Sequence, residues 1–348
     1  MTRVTKGAAV NILCIGGTGL ISRAVVFEAL AEGHDVWVMN RGRSTLESHV
    51  GAHRTLIADA SNETQVRQAR GDLHFDVVIQ WTVFVASQVE LDIRLYRDVA
   101  QYVFISSASA YQKPPAHWLV RETTPLVNPY WQYARDKIAC EEVLRRAHAT
   151  TGFAATIVRP SLTYGDSQIP VAIGSWTRPY TIVERMRRGA PILVPGDGTS
   201  LWTLTHNSDF ARGLVGLLGR AEAIGEVFHV TSDEALTWNQ IYREVGVAAG
   251  VEPTLLHVPS DALVAANPEL EGTLWGDKVN STVFDNSKLR RFVPDFRARV
   301  PFAEGIRDTL KWFDADSSRR GIDEDANRLW DHLAAIYIDA LERARQHP

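Results

Sequence analysis

The feature that most restricts the fold of this chain is a glycine turn set between two different periodicities. Asn11–Ile15 is an apolar, strand-like run, and Leu20–Glu32 carries a helical pattern that stops at Gly33. Between them stands Gly16-Gly17-Thr18-Gly19. A strand that turns on glycines into a helix lets backbone N–H groups approach a pyrophosphate, and the helix N-terminus adds partial positive charge. Gly16, Gly17, Thr18, Gly19, Leu20 and Ile21 are therefore placed to hold a dinucleotide. Ser22 takes the third glycine's place, and a residue that small still permits close packing.

The rest of the first half repeats the same alternation. Strands are expected at Asp35–Met39, Thr55–Ala58, Phe75–Ile79, Tyr102–Ser106 and Ala154–Val158, with helices at Glu63–Ala69, Gln88–Val99 and Tyr130–His148. Such a series makes an α/β fold, a doubly wound parallel Rossmann sheet, because right-handed crossovers put helices on both faces. After Pro160 proline and glycine become frequent and aromatics enter the loops. Helices are expected there at Asp209–Leu218, Trp238–Gly250, Phe302–Phe313 and Asp323–Arg345, and the strand Val227–Val230 is expected to rejoin the sheet. The domain reading is a dinucleotide-binding unit over 9–165, with returning elements near 203–232. A smaller C-terminal substrate-binding lobe then takes 166–202 and 233–348.

Composition removes several function classes. With 348 residues, 45% apolar and 22% charged, the chain has material for a full core. Its net charge of -4, with Lys and Arg dispersed, lacks the basic stripe that a nucleic-acid backbone demands, so no nucleic-acid partner is expected. The apolar run from Ala8 to Ile21 is broken by glycines and too short to span a bilayer, which points to a cytoplasmic protein with no membrane partner. Cys14 and Cys140 belong to no CxxC or His/Cys cluster and read as buried thiols, and no His/Asp/Glu spacing suggests a metal.

The residues after the second strand choose the dinucleotide. A carboxylate there would hold the ribose hydroxyls of NAD; the chain has Asn40-Arg41-Gly42-Arg43-Ser44 instead. Arginine can pair with a 2′-phosphate that a carboxylate would repel, so NADP is favoured over NAD. Asp59, followed by Ala60, follows the third strand and could accept from an adenine amino group, or simply serve a turn before Ser61. Trp81 and Thr82, after the fourth strand, face either the cofactor or the core.

Tyr133 and Lys137 stand four apart on a predicted helix and so share a face. A nearby ammonium favours phenolate and would lower the tyrosine pKa toward that of a general base; the lysine can also hold the nicotinamide ribose. Tyr102–Ser106 runs into Ser107-Ala108-Ser109 at the carboxyl edge of the sheet, where ligands bind. Ser107 would orient a substrate hydroxyl beside Tyr133, with Ser109 close by. Trp176, Tyr180 and Trp202 could line a sugar pocket or simply pack the lobe, and His206 could touch substrate or serve its own loop.

Taken together, the Gly16–Ser22 loop, Ser107-Ala108-x-x-Tyr111, Tyr133-x-x-x-Lys137, Arg159-Pro160 with Gly165, Pro195-Gly196-x-Gly198-Thr199 and His206-x-x-Asp209 resemble the extended short-chain dehydrogenase/reductase family. The likeness covers about residues 9–315 and is nearest the NAD-dependent epimerase/dehydratase branch. It implies hydride transfer to or from a carbinol by Ser107, Tyr133 and Lys137, with Trp202 and His206 toward the substrate. It also implies a homodimer built on a helix pair. Three departures qualify it. The stretch from Ile79 to Phe104 is short, as in an atypical branch with Asn-Arg-Gly after the second strand that includes chloroplast RNA-associated proteins, and the shortening would weaken the helix-pair dimer. Trp202 stands where sugar-nucleotide epimerases carry an arginine for the diphosphate, and Leu162 replaces an asparagine that also serves it. Ser107-Ala108-Ser109 lacks the Asp-Glu pair used for dehydration. The reading is epimerase-type chemistry on a sugar or nucleotide sugar through a transient ketone. The alternatives are an NADPH-dependent sugar or carbonyl reductase or dehydrogenase, and a non-catalytic dinucleotide-bound or RNA-associated protein.

Overall fold

The computed structural model describes residues 9–43 and 53–346; Ala8 and Ser44 lie outside the described residues. Strands β1 (Asn11–Ile15), β2 (Asp35–Asn40), β3 (Arg54–Ile57), β4 (Val77–Gln80) and β5 (Gln101–Ile105) lie in one seven-stranded sheet with Ala155–Pro160 and Val227–Val230. From one edge the order is Val227–Val230, Ala155–Pro160, β5, β4, β1, β2, β3, and every neighbouring pair is parallel. The chain winds outward from β1 to β3, then returns to β4 on the other side of β1. The order reverses between β1 and β4, and a crevice opens there at the carboxyl ends.

The alternation of side chains along β1 sorts the core into two layers. Ile12 and Cys14 pack with Val25 and Val26 of helix α1 (Leu20–Ala31) and with Phe210 and Leu214 of the helix Asn207–Val215. Leu13 and Ile15 face the opposite side, where helices α2 (Glu63–Arg70), α3 (Ala86–Leu95) and α4 (Gln132–Thr151) contribute Val66, Val89, Cys140 and Leu144. Both cysteines are free and buried. Local chemistry sets the helix ends. The Asn62 side chain accepts from the Gln65 N–H to start α2, and Gly152 at φ 71° closes α4 in the left-handed region.

A third core lies beyond Pro160, around Trp238, Tyr242, Leu263, Phe302, Ile306 and Trp330. Helices Trp238–Ala249, Phe302–Asp314 and Glu324–Gln346 build it, with short parallel pairs such as Ile192–Pro195 against Leu255–Val258. One pair crosses back: Leu119–Val120, from the sheet half, lies parallel to Val283–Phe284. Among the described residues, no helix is long and apolar enough to cross a membrane.

Candidate active site

The glycine turn sits in the crevice between β1 and β4. Gly16 has φ +85°, and a Cβ there would come within 2.4 Å of the Thr82 side chain, so only glycine serves. At Gly17 a Cβ would press on Val26 and Val38, which fixes the approach of α1 to the sheet. Ser22 does more than fit. Its Oγ accepts from the Gly19 N–H at 2.9 Å and donates to the Gly16 carbonyl at 2.8 Å, so one hydroxyl ties both ends of the turn.

A cleft of about 460 Å³ runs along this turn, lined by Gly16, Thr18, Asn40, Arg41, Arg43 and Asp59, with Ala60 and Thr82 also in its wall. Asn40 accepts from the Gly42 N–H at 2.7 Å, and the arginines on either side of that turn both border the cleft. Asp59 accepts from Ser61 N and Oγ at 3.0 and 2.7 Å; those bonds, followed by Arg41 and Arg43, hold its carboxyl below the usual range. Asp59 is thus a turn residue and a cleft residue at once. The residues present fit a dinucleotide: a turn that no side chain can fill, and two arginines in the cleft wall that could pair with phosphate. Trp81 takes the other course. It packs edge-on against Phe210 at 6.2 Å, and its indole nitrogen is buried with no partner among the described residues.

β5 ends at Ile105, and Ser107 caps the single turn Ala108–Ala110 by accepting from Ser109 N at 3.1 Å. Beneath this corner Ser106 donates to the buried Glu141 at 2.6 Å, and Arg159 meets the same carboxylate through two nitrogens at 2.8 and 2.5 Å. The Ser107 and Ser109 hydroxyls are 2.8 Å apart. Tyr133 is the second residue of α4, and its phenol is hydrogen-bonded to Ser107. Burial raises the Tyr133 pKa, the Ser107 bond pulls it back, and the carboxylate of Asp277 raises it further.

Here the structure corrects an expectation. Lys137 does not drive Tyr133 toward phenolate. Its ammonium donates to the carbonyls of Val83 and Ile105 at 2.7 and 2.9 Å, under the rings of Phe84 and Phe104 at 4.7 and 4.8 Å. It lies 5.9 Å from the centroid of the Tyr133 ring, and burial lowers its own pKa to about 8. Desolvation of the phenol therefore prevails, and Tyr133 holds its proton.

Ser107 and Tyr133 open onto a second cavity of about 330 Å³, walled by Trp131, Trp176, Trp202 and Phe284, with Ile21 and Ser109 also in its lining. No arginine lines it among the described residues. Trp202 stacks on Trp238 at 5.7 Å, while the Lys113 ammonium lies 5.3 Å over its ring. Tyr180 belongs to the lobe's core and bonds to Asp314. His206 is absent from the cavity lining. Its ring caps the helix Asn207–Val215, accepting from Ser208 N and lying 2.8 Å from Ser208 Oγ. Asp209, one turn on, accepts from the N–H groups of Arg299 and Val300 at 2.8 and 3.0 Å.

Four residues of this region do not stand out in the sequence. Asn128 donates to the carbonyls of Ser109 and Gly276 at 2.8 and 2.7 Å and accepts from the N–H groups of Tyr130 and Trp131, both at 3.2 Å. Lys113 is buried and bonds to Asp277 and Thr282, both at 3.2 Å. Asp277 and Lys278 both line the cavity, carried by the π-helical turn Leu274–Lys278. The one signal available was a Trp-Gly-Asp-Lys string, polar residues beside an aromatic in a loop-rich segment.

A reversing parallel sheet with a glycine cleft and a Ser/Tyr/Lys cluster at its carboxyl edge is the frame of a dinucleotide-dependent enzyme. The sequence profile of the NAD dependent epimerase/dehydratase family matches residues 12–231, and the chain belongs to that family. It is 28% identical over 298 residues to a 2'-dehydrokanamycin reductase of Streptomyces kanamyceticus, covering 83% of this chain and 80% of the relative. It is 26% identical over 269 residues to the chloroplast stem-loop binding protein of 41 kDa b of Arabidopsis thaliana, covering 73% and 67%. The UDP-glucose 4-epimerase of Bifidobacterium longum, solved with NAD+ and UDP, shares the fold at TM-score 0.69 and 17% identity, over 88% of this chain and 99% of that one.

Proposed function

We propose that the protein reduces a ring ketone of a sugar-like substrate that lacks a diphosphate, with NADPH as the preferred reductant. The observation that carries this reading is the placement of Ser107 and Tyr133 on an aromatic cavity with no arginine in its wall among the described residues. Indole faces suit the apolar faces of a sugar ring, whereas a diphosphate calls for the bidentate, charge-assisted bonds of arginine. Segments 166–202 and 233 onward act as the substrate lobe in this reading.

A bound nicotinamide supplies the hydride. Tyr133 passes its phenolic proton to the carbonyl oxygen as the carbon takes that hydride. The C=O double bond thus becomes C–H and O–H, and the phenolate recovers a proton from solvent. A phenol held neutral by burial and by Asp277 is an acid in its resting state, which favours reduction. Ser107 holds the same oxygen, and Ser109 holds Ser107. Lys137 braces the carbonyls of Val83, beyond the end of β4, and Ile105, the last residue of β5, and would add positive charge toward a nicotinamide ribose. Arg41 and Arg43 receive the 2′-phosphate. A relative of this chain that is a 2'-dehydrokanamycin reductase by name supports the choice of reduction.

Epimerisation through a transient ketone is the second reading, supported by the family's description and by a site that serves both directions of one hydride transfer. The test is to incubate the enzyme with keto-sugars and NADPH, and in parallel with the matching alcohols in deuterated water without added cofactor. Stoichiometric loss of reduced cofactor supports the reductase. Inversion of a carbinol with no cofactor added and no deuterium incorporated replaces it with the epimerase.

A further inference from the structure

Asp277 and Lys278 are consecutive residues, yet both border the same cavity. In an α-helix consecutive side chains diverge by about 100°. Leu274–Lys278 winds more widely, as a π-helical turn, a form that recurs at functional sites. The turn is fixed from outside. A Cβ at Gly272 would collide with Trp131, one at Gly276 would press on it, and Asn128 holds the Gly276 carbonyl.

The charges set there do not cancel. Asp277 is matched by Lys113 at 3.2 Å, and Lys113 is further bonded to Thr282. Lys278 feels the Asp277 carboxylate only through space, without a contact pair. It is 5% exposed, and its ammonium reaches only the carbonyls of Val171 and Ala172, at the long distances of 3.4 and 3.2 Å. It forms no ion pair among the described residues, and the Trp176 ring lies 5.2 Å from it on the cavity side. Burial lowers its pKa to about 8, so at neutral pH it remains a cation short of acceptors. A buried ammonium in that position is stabilised by whatever anionic oxygen comes within reach.

We infer that Lys278 anchors an anionic group of the substrate, a carboxylate or a phosphate monoester, against the face of Trp176. This rests on reading the aromatic cavity as the substrate pocket. The cavity then selects acidic sugars over neutral ones and over amino sugars, whose ammonium would meet the Lys278 cation.

Tryptophan fluorescence of the cofactor-saturated protein tests the inference without turnover, since Trp131, Trp176 and Trp202 border the cavity. The probes are glucuronate, glucose 6-phosphate, glucose and glucosamine. The inference expects glucuronate or glucose 6-phosphate to bind about tenfold tighter than glucose, and glucosamine to bind weakest, as one charge-assisted bond would give. Which of the two acids binds tighter identifies the anionic group. Lys278→Met should erase the preference and Lys278→Arg should retain part of it. Equal binding of all four, a preference for glucosamine, or no binding of any at millimolar concentration overturns it. Acid-selective binding without ketone reduction would reject the reductase reading alone; reduction of neutral keto-sugars without acid preference would reject only this anchor.

Discussion

The side-chain amide of Asn128 reaches the carbonyl of Gly276, 148 residues further along the chain, at 2.7 Å. The same side chain holds Ser109 and the first residues before α4, so three separate segments of the pocket meet on one buried amide. Asn128→Ala should cost about 2–4 kcal/mol, because the carbonyls and N–H groups left behind are desolvated. Turnover should fall by about tenfold or more as Tyr133 loses its fixed position. Urea unfolding and steady-state kinetics on the same variant check both.

Tyr133→Phe should abolish turnover and leave cofactor affinity nearly unchanged, since only the proton is lost. The pH profiles should be asymmetric. Reduction needs the protonated phenol, whose pKa lies above the ordinary value of about 10. The rate of reduction should therefore be level through neutral pH on this account and fall only in strong alkali, while oxidation of the alcohol should rise with pH. Measuring kcat in both directions separates the two; a reduction rate that falls on the acid side of neutrality would count against Tyr133 as the donor.

Lys137 carries a second pH signature. Its folded pKa, about 8, lies below the unfolded 10.5, so the native state releases this proton first. Between those values the unfolded chain binds more protons, and stability contributed through this group rises with pH. The cost of its charge is fully present below pH 8. Relative to Lys137→Met, the wild type should gain about 3 kcal/mol from neutral pH to beyond 10.5. Paired denaturant titrations at the two ends measure it. Lys137→Met should also weaken cofactor binding and turnover together.

Arg41 and Arg43 border the cofactor cleft, where no carboxylate follows Asn40 directly. NADP should bind tighter than NAD by about 10–100-fold, the value of one or two charge-assisted bonds. Arg41→Asp should reverse the order. Calorimetric titration with both cofactors checks it, and equal affinities that the substitution leaves unmoved would remove Arg41 from recognition.

UDP-hexoses should bind poorly, and Trp202→Arg should not rescue them. The substitution loses the stack on Trp238 and sets a guanidinium beside Lys113, which already occupies that ring face. The variant should be less stable by about 2–4 kcal/mol, in the range of a buried tryptophan lost. Thermal unfolding and UDP-sugar titration read the two effects.

The sheet was legible because its signals are local and repeated. β1 and Val227–Val230 fall on their expected residues, and the latter rejoins the sheet beside Ala155–Pro160. Errors arise where a tertiary partner decides. Tyr130 and Trp131 read as helix, but Asn128 takes their N–H groups, so α4 begins at Gln132. The apolar pattern of α3 continues to Val99, yet the helix stops at Leu95 while Tyr96 and Val99 still enter the core from a turn. Gln80 is polar but ends β4 in the interior, because Asp92 accepts its amide at 2.7 Å and Thr82 donates to its oxygen.

The candidate site shows the same division. Glycine turn, Ser107, Tyr133 and Lys137 are set by short spacings, and the sheet brings them to one edge. The charge balance is not local. Lys113, Asn128, Asp277 and Lys278 come from distant segments, and each alone looks like an ordinary polar residue. Lys137 lies on the predicted helix, but its ammonium is held by the carbonyls of Val83 and Ile105 from two other segments.

The π-helical turn at Leu274–Lys278 also has a bearing on how such a pocket could be gained or lost. Such a turn is an α-helical turn with a single residue inserted, and the short helix before it, Leu270–Thr273, need not change. Removing one residue between Leu274 and Gly276 would restore ordinary winding and swing the following side chains by about 100°, taking the ammonium out of the cavity and moving the Asp277 carboxylate and the Gly276 carbonyl with it. A one-codon deletion would thus change the charge of the pocket while leaving the Tyr133 phenol in the chain. A lineage carrying this fold could trade one class of substrate for another by indel, without passing through a variant that had lost its proton donor.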